Sequence, residues 1–261
     1  MIKHLQVETT NICNAHCVFC PHDRFEKFGT MSDGLYEKIV RDASQYNLDS
    51  FTPMLTGEPF CDPQIIERIR LARELMPRTQ IVLFTNGSRL ARNDINALAD
   101  AGNVKVFVSL NGASEETRHK LMGLDDWNEV KAKIDYMHEM GLHPITTMVW
   151  FPTLTLREIS AFGELDTSLA IQFQSFAGEI YRYKRRSATS CNRVTKYMTV
   201  LWDGWVNLCC FDPFGKVIFG NLNRQTIEEV WNSPLHLGYL EAHSENRGQE
   251  MELCQSCTEG A

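Results

Sequence analysis

Nine cysteines occur in this chain of 261 residues, and all but Cys61 fall into two groups. The N-terminus, MIKHLQVETT, lacks the apolar stretch of a secretion signal, so the protein is expected in the cytoplasm, where disulfides do not persist. Metal ligation is therefore the expected use of the cysteines, with one metal site for each group. The first group comprises Cys13, Cys17 and Cys20, and the second comprises Cys191, Cys209, Cys210, Cys254 and Cys257.

The charge and hydropathy of the chain exclude two classes of partner. The formal net charge is −7, and the most basic run, from Arg182 to Arg186, is too short to outweigh that charge against a phosphate backbone. No apolar stretch reaches the roughly eighteen residues that a membrane-spanning helix needs. We therefore expect neither nucleic acid nor a membrane among the partners.

Short β-rich runs alternate with amphipathic helical runs over the first two thirds of the chain, which is typical of repeated βα units and a parallel sheet. Each strand is nearly continuous in apolar residues, as in strands buried on both faces. Asp62 is expected to cap the second helix, with Pro63 at its first position, and Gly141 is expected to end the helix that contains Trp127. The six predicted strands are Leu5–Thr9, Ser50–Thr56, Gln80–Thr85, Lys105–Leu110, Ile145–Trp150 and Ile171–Ser175.

Six βα units are too few to close the usual eight-stranded barrel. The pattern therefore predicts an α/β fold with a partial (β/α)6 barrel over residues 1–176, whose chemistry lies on the loops at the carboxyl ends of the strands. Residues 177–261 form the expected second domain, which is small and carries the second cysteine group. It should contain a hairpin from Tyr197–Leu201 to Val206–Cys209 and a short helix opened by the capping box Thr226-Ile-Glu-Glu229.

The first cysteine group lies directly after the first strand, in the segment Cys13-Asn-Ala-His-Cys17-Val-Phe-Cys20. Three thiolates are one fewer than a closed zinc or iron-sulfur site uses, so an iron-sulfur cluster held here keeps one iron open to a ligand. The alternative is a zinc knuckle in which His16 or His22 supplies the fourth ligand.

This triplet, with an aromatic residue before its last cysteine, resembles the hallmark of the radical S-adenosylmethionine (radical SAM) superfamily. Three further motifs follow in the family's order at the ends of the next three predicted strands. Strand-to-helix turn chemistry is the alternative explanation of each motif alone, since Gly and Asn are usual turn residues. The motifs are Thr56-Gly57-Glu58-Pro59, Thr85-Asn86-Gly87 and Ser109-Leu-Asn111-Gly112.

The resemblance implies which residues bind S-adenosylmethionine. In the family the glycine-glutamate motif receives the amino group of the cofactor, which gives that role to Gly57, Glu58 and Pro59. The segment that begins at Ser109 is similar to the one that contacts the ribose. The implied cofactor-binding residues are Phe19, Gly57, Glu58, Pro59, Thr85, Asn86, Ser109 and Asn111, and the implied ligands of the catalytic 4Fe-4S cluster are Cys13, Cys17 and Cys20.

The second cysteine group resembles the twitch domain, a shortened form of the SPASM domain, which carries an auxiliary cluster. Two distant single cysteines and a closing CxxC, at Cys191, Cys209, Cys254 and Cys257, imply a second 4Fe-4S cluster held by four thiolates. Cys210 either packs beside this cluster or replaces Cys209 as a ligand. A zinc ribbon is the alternative use of the CxxC pair.

The resemblance also implies a mechanism. An electron from the first cluster cleaves S-adenosylmethionine into methionine and a 5′-deoxyadenosyl radical, and this radical takes a hydrogen atom from the substrate. A second cluster without an open iron suits an electron acceptor, so net two-electron oxidation is expected. The electron donor is expected to be a flavodoxin or ferredoxin with its reductase.

Two classes of substrate and one other class of protein are consistent with the sequence. Twitch-bearing relatives that act on aminocyclitols oxidise a secondary alcohol to a ketone, which favours dehydrogenation of a small molecule such as an aminocyclitol or sugar alcohol. Other relatives oxidise or cross-link a peptide side chain, but the first strand begins near Ile2, so no room is expected for a leader-binding domain. A non-catalytic iron-sulfur electron carrier is the third possibility.

Oxidation of an alcohol needs a group that takes the hydroxyl proton. Glu179 and Arg182 follow the last predicted strand and are the candidates for this catalytic role, with a solvated linker as the alternative for each. Cys61 follows the glycine-glutamate motif. It either donates a hydrogen atom to a substrate radical or packs as a small apolar residue.

Overall fold

The computed structural model describes residues 1–165, 169–173, 176–177, 180 and 189–257. In this part of the chain, βα units follow one another up to residue 173, and an antiparallel hairpin with short helices comes after them. The strands are β1 His4–Val7, β2 Ser50–Thr52, β3 Gln80–Thr85, β4 Val104–Ser109, β5 Ile145–Trp150, β6 Leu169–Phe173, β7 Tyr197–Val200, β8 Trp205–Asn207 and β9 Ile218–Asn221.

Many of the helices begin at a hydroxyl side chain that accepts a hydrogen bond from the backbone N–H three residues later, which satisfies one of the unpaired donors of the first turn. The predicted capping box at Thr226 and Glu229 is confirmed. The capping residues of this kind are Ser32, Ser114, Thr155, Thr226 and Ser233. The helices are α1 Asp33–Ala43, α2 Ile65–Leu75, α3 Arg92–Ala101, α4 Glu115–Met122, α5 Trp127–Glu139, α6 Leu156–Gly163, α7 Asn192–Lys196, α8 Ile227–Trp231 and α9 Pro234–Ser244.

The strands form one sheet in the order β6-β5-β4-β3-β2-β1-β7-β8-β9. Strands β1 to β6 are parallel to their neighbours, and β7 also pairs in parallel with β1, with His4 opposite Tyr197. Strands β8 and β9 continue the sheet in antiparallel fashion. The predicted hairpin is therefore present, and it extends the same sheet as the βα units.

A buried carboxylate joins three neighbouring segments at the carboxyl end of β1. Glu8 is 2% exposed and accepts hydrogen bonds from Thr56 N at 3.2 Å and Trp202 N at 3.3 Å. Thr56 belongs to the loop after β2, and Trp202 lies at the turn between β7 and β8. This contact holds the hairpin against the end of the sheet from which the motif-bearing loops leave.

The α/β fold class is confirmed, because parallel strands alternate with helices and the sheet interior is apolar. Side chains of successive strands, such as Phe51, Leu83 and Val106, are fully buried in one core with helix residues such as Ile69. None of the helices in the described ranges is both long enough and apolar enough to cross a membrane.

The observed boundaries of β3 and β5 agree with those predicted from the sequence, and the boundaries of the other predicted strands differ. Strand β2 ends at Thr52, four residues before its predicted end, because Pro53 has no N–H to donate to a neighbouring strand. Strand β1 runs over His4–Val7, β4 begins one residue early at Val104, and β6 is Leu169–Phe173. The predicted end of β6, Ser175, lies outside the described residues.

The prediction that Asp62 caps α2 is wrong, whereas the predicted end of α5 is confirmed. Helix α2 begins at Ile65, and the Asp62 carboxylate accepts from Gln64 N and pairs with the buried Arg68, with 2.9 Å between Oδ2 and Nε. Asp62 and Pro63 form a turn that precedes the helix. The Asp62 carboxylate bonds to Gln64 N and Arg68 and not to a backbone N–H of α2. Gly141, with φ +78°, ends α5 in the left-handed conformation that favours glycine.

Candidate active site

The loop that carries the first cysteine group leaves the end of β1 and is tied back to it. Gly29 N donates to Asn11 Oδ1 at 2.8 Å, and Thr10 Oγ1 donates to Gly29 O at 2.9 Å. A Cβ at Gly29 would overlap the ring of Trp202 from the hairpin, so only glycine fits there. The loop is therefore enclosed between β1 and the β7–β8 turn.

Phe19 anchors the middle of the same loop. Its side chain is buried against Leu121 and Met122 at the end of α4. The backbone follows the same path, because His16 N donates to Met122 O at 2.8 Å and Val18 N donates to Leu121 O at 3.0 Å. The aromatic residue before the last cysteine thus sets where the thiols lie, and its contact with the cofactor stays a prediction.

The three cysteines of this loop are half-buried, and their thiols lie near one another. Burial raises the pKa of Cys13 to about 12 and that of Cys20 to about 11, and it raises the pKa of Cys17 well above the ordinary value. The charges of Cys20 and Cys13 add to the effect on Cys17. Thiolates in such a place need a strong source of positive charge, which iron supplies.

The two histidines proposed as alternative zinc ligands have other partners. His22 Nε2 donates to Asn11 O at 2.9 Å, and the exposed His16 lies 3.5 Å from the Asp23 carboxylate. In the described ranges, no three His, Cys, Asp or Glu side chains are grouped as a single bound metal ion requires. A 4Fe-4S cluster does not require such a group, because each thiolate binds a different iron atom. A donor set of three thiols fits the cluster.

Glu58 forms a buried carboxylate site beside the cysteine loop. It is 3% exposed and accepts hydrogen bonds from Thr85 Oγ1 at 2.6 Å, Asn86 N at 2.7 Å and Phe60 N at 3.3 Å. Burial raises the pKa of Glu58 to about 7, although these hydrogen bonds oppose the shift. Its charge also acts on Cys13. A cationic ligand bound here would therefore be attracted to an incompletely compensated carboxylate next to the thiols.

Gly57 lets the two loops approach each other. A Cβ at this position would overlap Thr10 O and come within 2.8 Å of Ile12 O, so any other residue would push the loops apart. The next residue completes the contact, because Glu58 N donates to Ile12 O at 3.0 Å. Pro59 is buried at the start of the following 3-10 turn and accepts from Asp62 N. The glycine-glutamate motif is thereby fixed against the cysteine loop.

The motifs after β3 and β4 reach the same end of the sheet. Thr85 and Asn86 contact Glu58 directly, as described above. Ser109 ends β4, and Asn111, with φ +56°, accepts from Val149 N at 2.7 Å through its side-chain oxygen. The side chain of Asn111 therefore ties the loop to β5. Cofactor contacts of these residues remain predictions.

Two residues that the sequence analysis missed connect the motifs. Arg118 on α4 is fully buried and donates to Asn86 O at 2.8 Å and Leu110 O at 3.0 Å, so it bridges the ends of β3 and β4. Asn14, inside the cysteine triplet, accepts from Asn86 Nδ2 at 3.0 Å. The half-buried Cys61 lies 4.0 Å from the same Asn14 oxygen. Neither Arg118 nor Asn14 belongs to a periodic or spaced pattern in the sequence that could have indicated its contacts.

The second cysteine group shares one small hydrophobic core. Cys209 is buried in it together with Phe211, Val217, Tyr239 and other apolar residues. The remaining cysteines of the group pack against the same core and are half-buried; they are Cys191, Cys210, Cys254 and Cys257. Five thiols brought together in this way fit an iron-sulfur cluster with one cysteine to spare.

Electrostatic interactions link all five of these thiols. Burial is the main cause that raises the pKa of Cys254 to about 12, and the charges of Cys257 and Cys191 contribute to the same shift. Burial also raises the pKa of Cys209 well above its ordinary value, with contributions from Cys210 and Cys257. The predicted ligand set therefore lies together, and whether Cys209 or Cys210 completes it stays a prediction. Glu179 and Arg182, the proposed catalytic residues, lie outside the described residues.

Two family models match the chain. The model of the "Radical SAM superfamily" matches residues 7–165, which is more than half of the chain and includes the first cysteine group. The SPASM model, described as "Iron-sulfur cluster-binding domain", matches residues 191–258 and includes the second group.

The proteins similar to this chain include a dehydrogenase of a small molecule and a protein whose structure was solved with a bound peptide. The chain is 22% identical to "S-adenosyl-L-methionine-dependent 2-deoxy-scyllo-inosamine dehydrogenase" of Niallia circulans, over 98% of this chain and 93% of that protein. The crystal structure of BtrN in complex with AdoMet and 2-DOIA matches with a TM-score of 0.68 and 17% identity, over 98% and 93% of the two chains. SuiB of Streptococcus suis bound to precursor peptide SuiA matches with a TM-score of 0.78 and 15% identity, over 100% and 72%. At these identities the structural matches show a shared fold.

Proposed function

The chain belongs to the radical SAM superfamily, and from this premise we propose that it dehydrogenates a secondary alcohol of a small molecule such as an aminocyclitol or sugar alcohol. As a member of the superfamily it binds a 4Fe-4S cluster and S-adenosylmethionine, and its SPASM region binds a further iron-sulfur cluster. The first cluster, when bound, supplies the electron that cleaves S-adenosylmethionine to methionine and a 5′-deoxyadenosyl radical.

The residues of the first site have separate roles in this proposal. Cys13, Cys17 and Cys20 hold the cluster and leave one iron open for the cofactor. Glu58 binds the ammonium group of S-adenosylmethionine through a charge-assisted hydrogen bond. Phe19 and Arg118 fix the loops that carry these groups and exclude water from them. The chain thus contributes binding, orientation and a dry site, whereas the cofactor supplies the radical chemistry.

The proposed reaction balances in atoms and electrons. The carbinol C–H bond breaks, and its hydrogen atom joins the 5′-deoxyadenosyl radical to give 5′-deoxyadenosine. The hydroxyl group releases its proton to a base, for which Glu179, with Arg182 nearby in sequence, remains the candidate. Cys191, Cys209, Cys254 and Cys257 would hold the second cluster, which we propose is a 4Fe-4S cluster and which would supply the acceptor for the remaining electron. The products are a ketone, methionine, 5′-deoxyadenosine and a proton.

One observation carries the choice of an alcohol as substrate. The aminocyclitol dehydrogenase from Niallia circulans aligns along 98% of this chain and 93% of its own length, so the similarity spans both cysteine regions. A peptide substrate is the second candidate, supported by the TM-score of 0.78 to SuiB bound to its precursor peptide. The alcohol is preferred because SuiB is covered over only 72% of its chain.

Isotope transfer from a deuterated substrate tests the proposed function. Reduced, reconstituted protein would be incubated with aminocyclitols and sugar alcohols that carry deuterium on the carbinol carbons, and with a peptide library as the comparison. We expect deuterium in 5′-deoxyadenosine together with a ketone about three mass units lighter than the deuterated alcohol, because one deuterium and one hydroxyl proton are lost. Deuterium transfer from labelled peptides alone would contradict the alcohol proposal.

The metal content of the purified protein is expected to reflect two clusters. Anaerobically purified protein should contain about eight iron and about eight sulfide per chain, because each cysteine group suits a 4Fe-4S cluster. Iron, sulfide and zinc assays on the same sample check this. About four iron with one bound zinc would instead assign the second group to a zinc ribbon, and zinc without iron would contradict both cluster assignments.

Replacing Glu58 by Gln is expected to weaken the binding of S-adenosylmethionine by roughly tenfold to a hundredfold. The variant keeps the shape of the side chain but loses a charge-assisted contact worth about 1.5–3 kcal/mol. Equilibrium dialysis with the reconstituted protein measures the change. Glu8→Gln is the matched control, because Glu8 is an equally buried carboxylate at the same end of the sheet. Among the described residues, its side chain bonds only to Thr56 and Trp202.

The pH dependence of binding separates a charge contact from a packing defect. Burial raises the pKa of Glu58 to about 7, so the carboxylate becomes protonated as the pH falls through that value. A ligand that requires the ionised form should bind about tenfold more weakly at about pH 6 than at about pH 8. Glu58→Gln should lack this acidic limb. An acidic limb of equal size in Glu58→Gln would assign it to another group.

A further inference from the structure

Two basic side chains lie within hydrogen-bonding distance of sulfur atoms of the second cysteine group. His243 on α9 places Nε2 at 3.5 Å from Cys254 Sγ. Arg193 on α7 places Nε at 3.3 Å from Cys210 Sγ. Neither Arg193 nor His243 belongs to the ligand set proposed above. Both residues lie on helices that flank the small core of this region.

His243 is held in position with its Nε2 toward the sulfur. It is 1% exposed, and a Cβ at Gly248 would overlap the imidazole ring, so the backbone of residue 248 packs directly on it. Gly248 is itself fixed, because its N–H donates to Thr189 O at 2.8 Å. The other ring nitrogen, Nδ1, is buried and has no hydrogen-bond partner in the described part of the chain. A proton on Nε2 can be donated to a Cys254 thiolate, whereas a proton on Nδ1 would be a buried donor without an acceptor in the described part of the chain.

Arg193 brings a fixed positive charge to the same group. Its guanidinium stacks over the Phe211 ring at 4.6 Å, which orients Nε toward Cys210. Cys210, Cys191 and Cys209 are the acidic groups that interact with it. A guanidinium is always charged, so this cation is present whatever the redox state of the site.

We propose that Arg193 and His243 raise the midpoint potential of the second cluster and so suit it to accept the electron released by the substrate. This inference rests on the proposed function, in which that cluster is the acceptor. Reduction adds one negative charge to a cluster that four thiolates already make negative. A nearby cation and an N–H donor to sulfur stabilise the more negative form, because Coulomb attraction grows with the charge.

The two residues are expected to act by different means, which conservative variants can separate. Arg193→Lys keeps the charge, whereas Arg193→Gln removes it. His243→Gln can place an amide N–H near the position of Nε2, whereas His243→Leu cannot donate. His236 is the matched control, since it lies on the same helix as His243 and is 2% exposed. It bonds to Trp231 O and Val194 O and, among the residues that the structure describes, to no sulfur.

A potentiometric titration of the full-length protein with both clusters, followed by electron paramagnetic resonance, tests the proposal. Addition of S-adenosylmethionine identifies the signal of the first cluster, because the cofactor binds only there. We expect the second cluster to titrate at a lower potential in Arg193→Gln and His243→Leu, and closer to the parent in Arg193→Lys and His243→Gln. The first cluster, and both clusters of His236→Gln, should titrate as in the parent.

Equal potentials in the parent, Arg193→Gln and His243→Leu, at full iron content, would overturn the proposal. If His243→Leu or Arg193→Gln lost the second cluster, that result would also overturn the proposed effect of the replaced residue on the midpoint potential. The residue would then be needed to hold the cluster. A second measurement uses only the parent protein and therefore does not depend on whether a variant folds. In protein labelled with ¹⁵N-histidine, the reduced second cluster should show a hyperfine coupling to a nitrogen of His243. Absence of that coupling contradicts the role of His243, and a parent without a second cluster contradicts the proposed function itself.

Discussion

Replacing Cys17 by Ala is expected to reduce the formation of 5′-deoxyadenosine to background. Cys17 is the middle thiol of the triplet, and its thiol interacts with those of Cys20 and Cys13. Three thiolates are already one fewer than a closed site uses, so two hold a 4Fe-4S cluster poorly. Because the electron that cleaves S-adenosylmethionine comes from this cluster, every later step is lost with it. Chromatography with mass spectrometry of dithionite-reduced samples measures the product.

Cys61→Ala is the matched control for this variant. Cys61 is also a half-buried cysteine at the same end of the sheet, but it belongs to the turn after Glu58 and lies outside the triplet. We expect this variant to keep its iron and to form 5′-deoxyadenosine. A Cys17→Ala protein that forms 5′-deoxyadenosine at the parent rate would show that the triplet does not hold the electron donor.

Replacing both Cys254 and Cys257 by Ala is expected to uncouple the two products. The first cluster is held by another loop, so S-adenosylmethionine is still cleaved and a substrate hydrogen atom is still taken. The substrate radical then has no oxidant nearby. We expect 5′-deoxyadenosine to exceed the ketone several-fold, with substrate deuterium still present in it, whereas the parent forms the two in equal amounts. The ratio of the two products is the measurement.

The double variant is informative only if it folds. A metal site can hold a small domain together, and loss of its ligands can unfold the region around them. The circular dichroism spectrum and elution volume of the variant must therefore match those of the parent, and its iron content should fall to about four per chain. An unchanged product ratio in such a protein would contradict the role of the second cluster as the acceptor.

The local parts of the fold could be predicted from the sequence. Strands β3 and β5 have the predicted boundaries. Asn86-Gly87 directly follows β3, and Pro152 lies two residues after β5, so each strand ends next to residues that interrupt a strand. The left-handed residue after α5 and the capping box of α8 were predictable for the same reason, since Gly141 and Thr226 act on their own turn. Each of these signals depends on neighbours within a few residues.

Contacts between distant segments were beyond the sequence pattern. The parallel pairing of β7 with β1 joins Tyr197 to His4, and no periodicity encodes which edge of a sheet a later strand will extend. Asp62 was predicted as a helix cap from its residue type and the following Pro63, and nothing in the sequence indicated that it pairs with a buried Arg68. Arg118 and His243 are likewise single polar residues on helices, and only the packed structure shows which groups they contact.

The metal sites could be predicted only in part from the spacing of the cysteines. The triplet and the closing CxxC indicated two metal sites because cysteines at such short spacings can reach one metal site together. The grouping of Cys191 and Cys209 with Cys254 and Cys257 required a further source, the resemblance to a known domain, since the two single cysteines are far from the pair in sequence. The five thiols pack against one core in the structure.

Release of 5′-deoxyadenosine by the reduced protein tests the central claim most directly. Protein reconstituted to about eight iron per chain would be incubated with S-adenosylmethionine, with and without dithionite, and the products quantified. We predict equal amounts of 5′-deoxyadenosine and methionine, formed only in the reduced sample, with deuterium in 5′-deoxyadenosine when a carbinol-deuterated alcohol substrate is present. Intact S-adenosylmethionine after incubation with the fully loaded, reduced protein would contradict radical chemistry at Cys13, Cys17 and Cys20 and favour an iron-sulfur electron carrier.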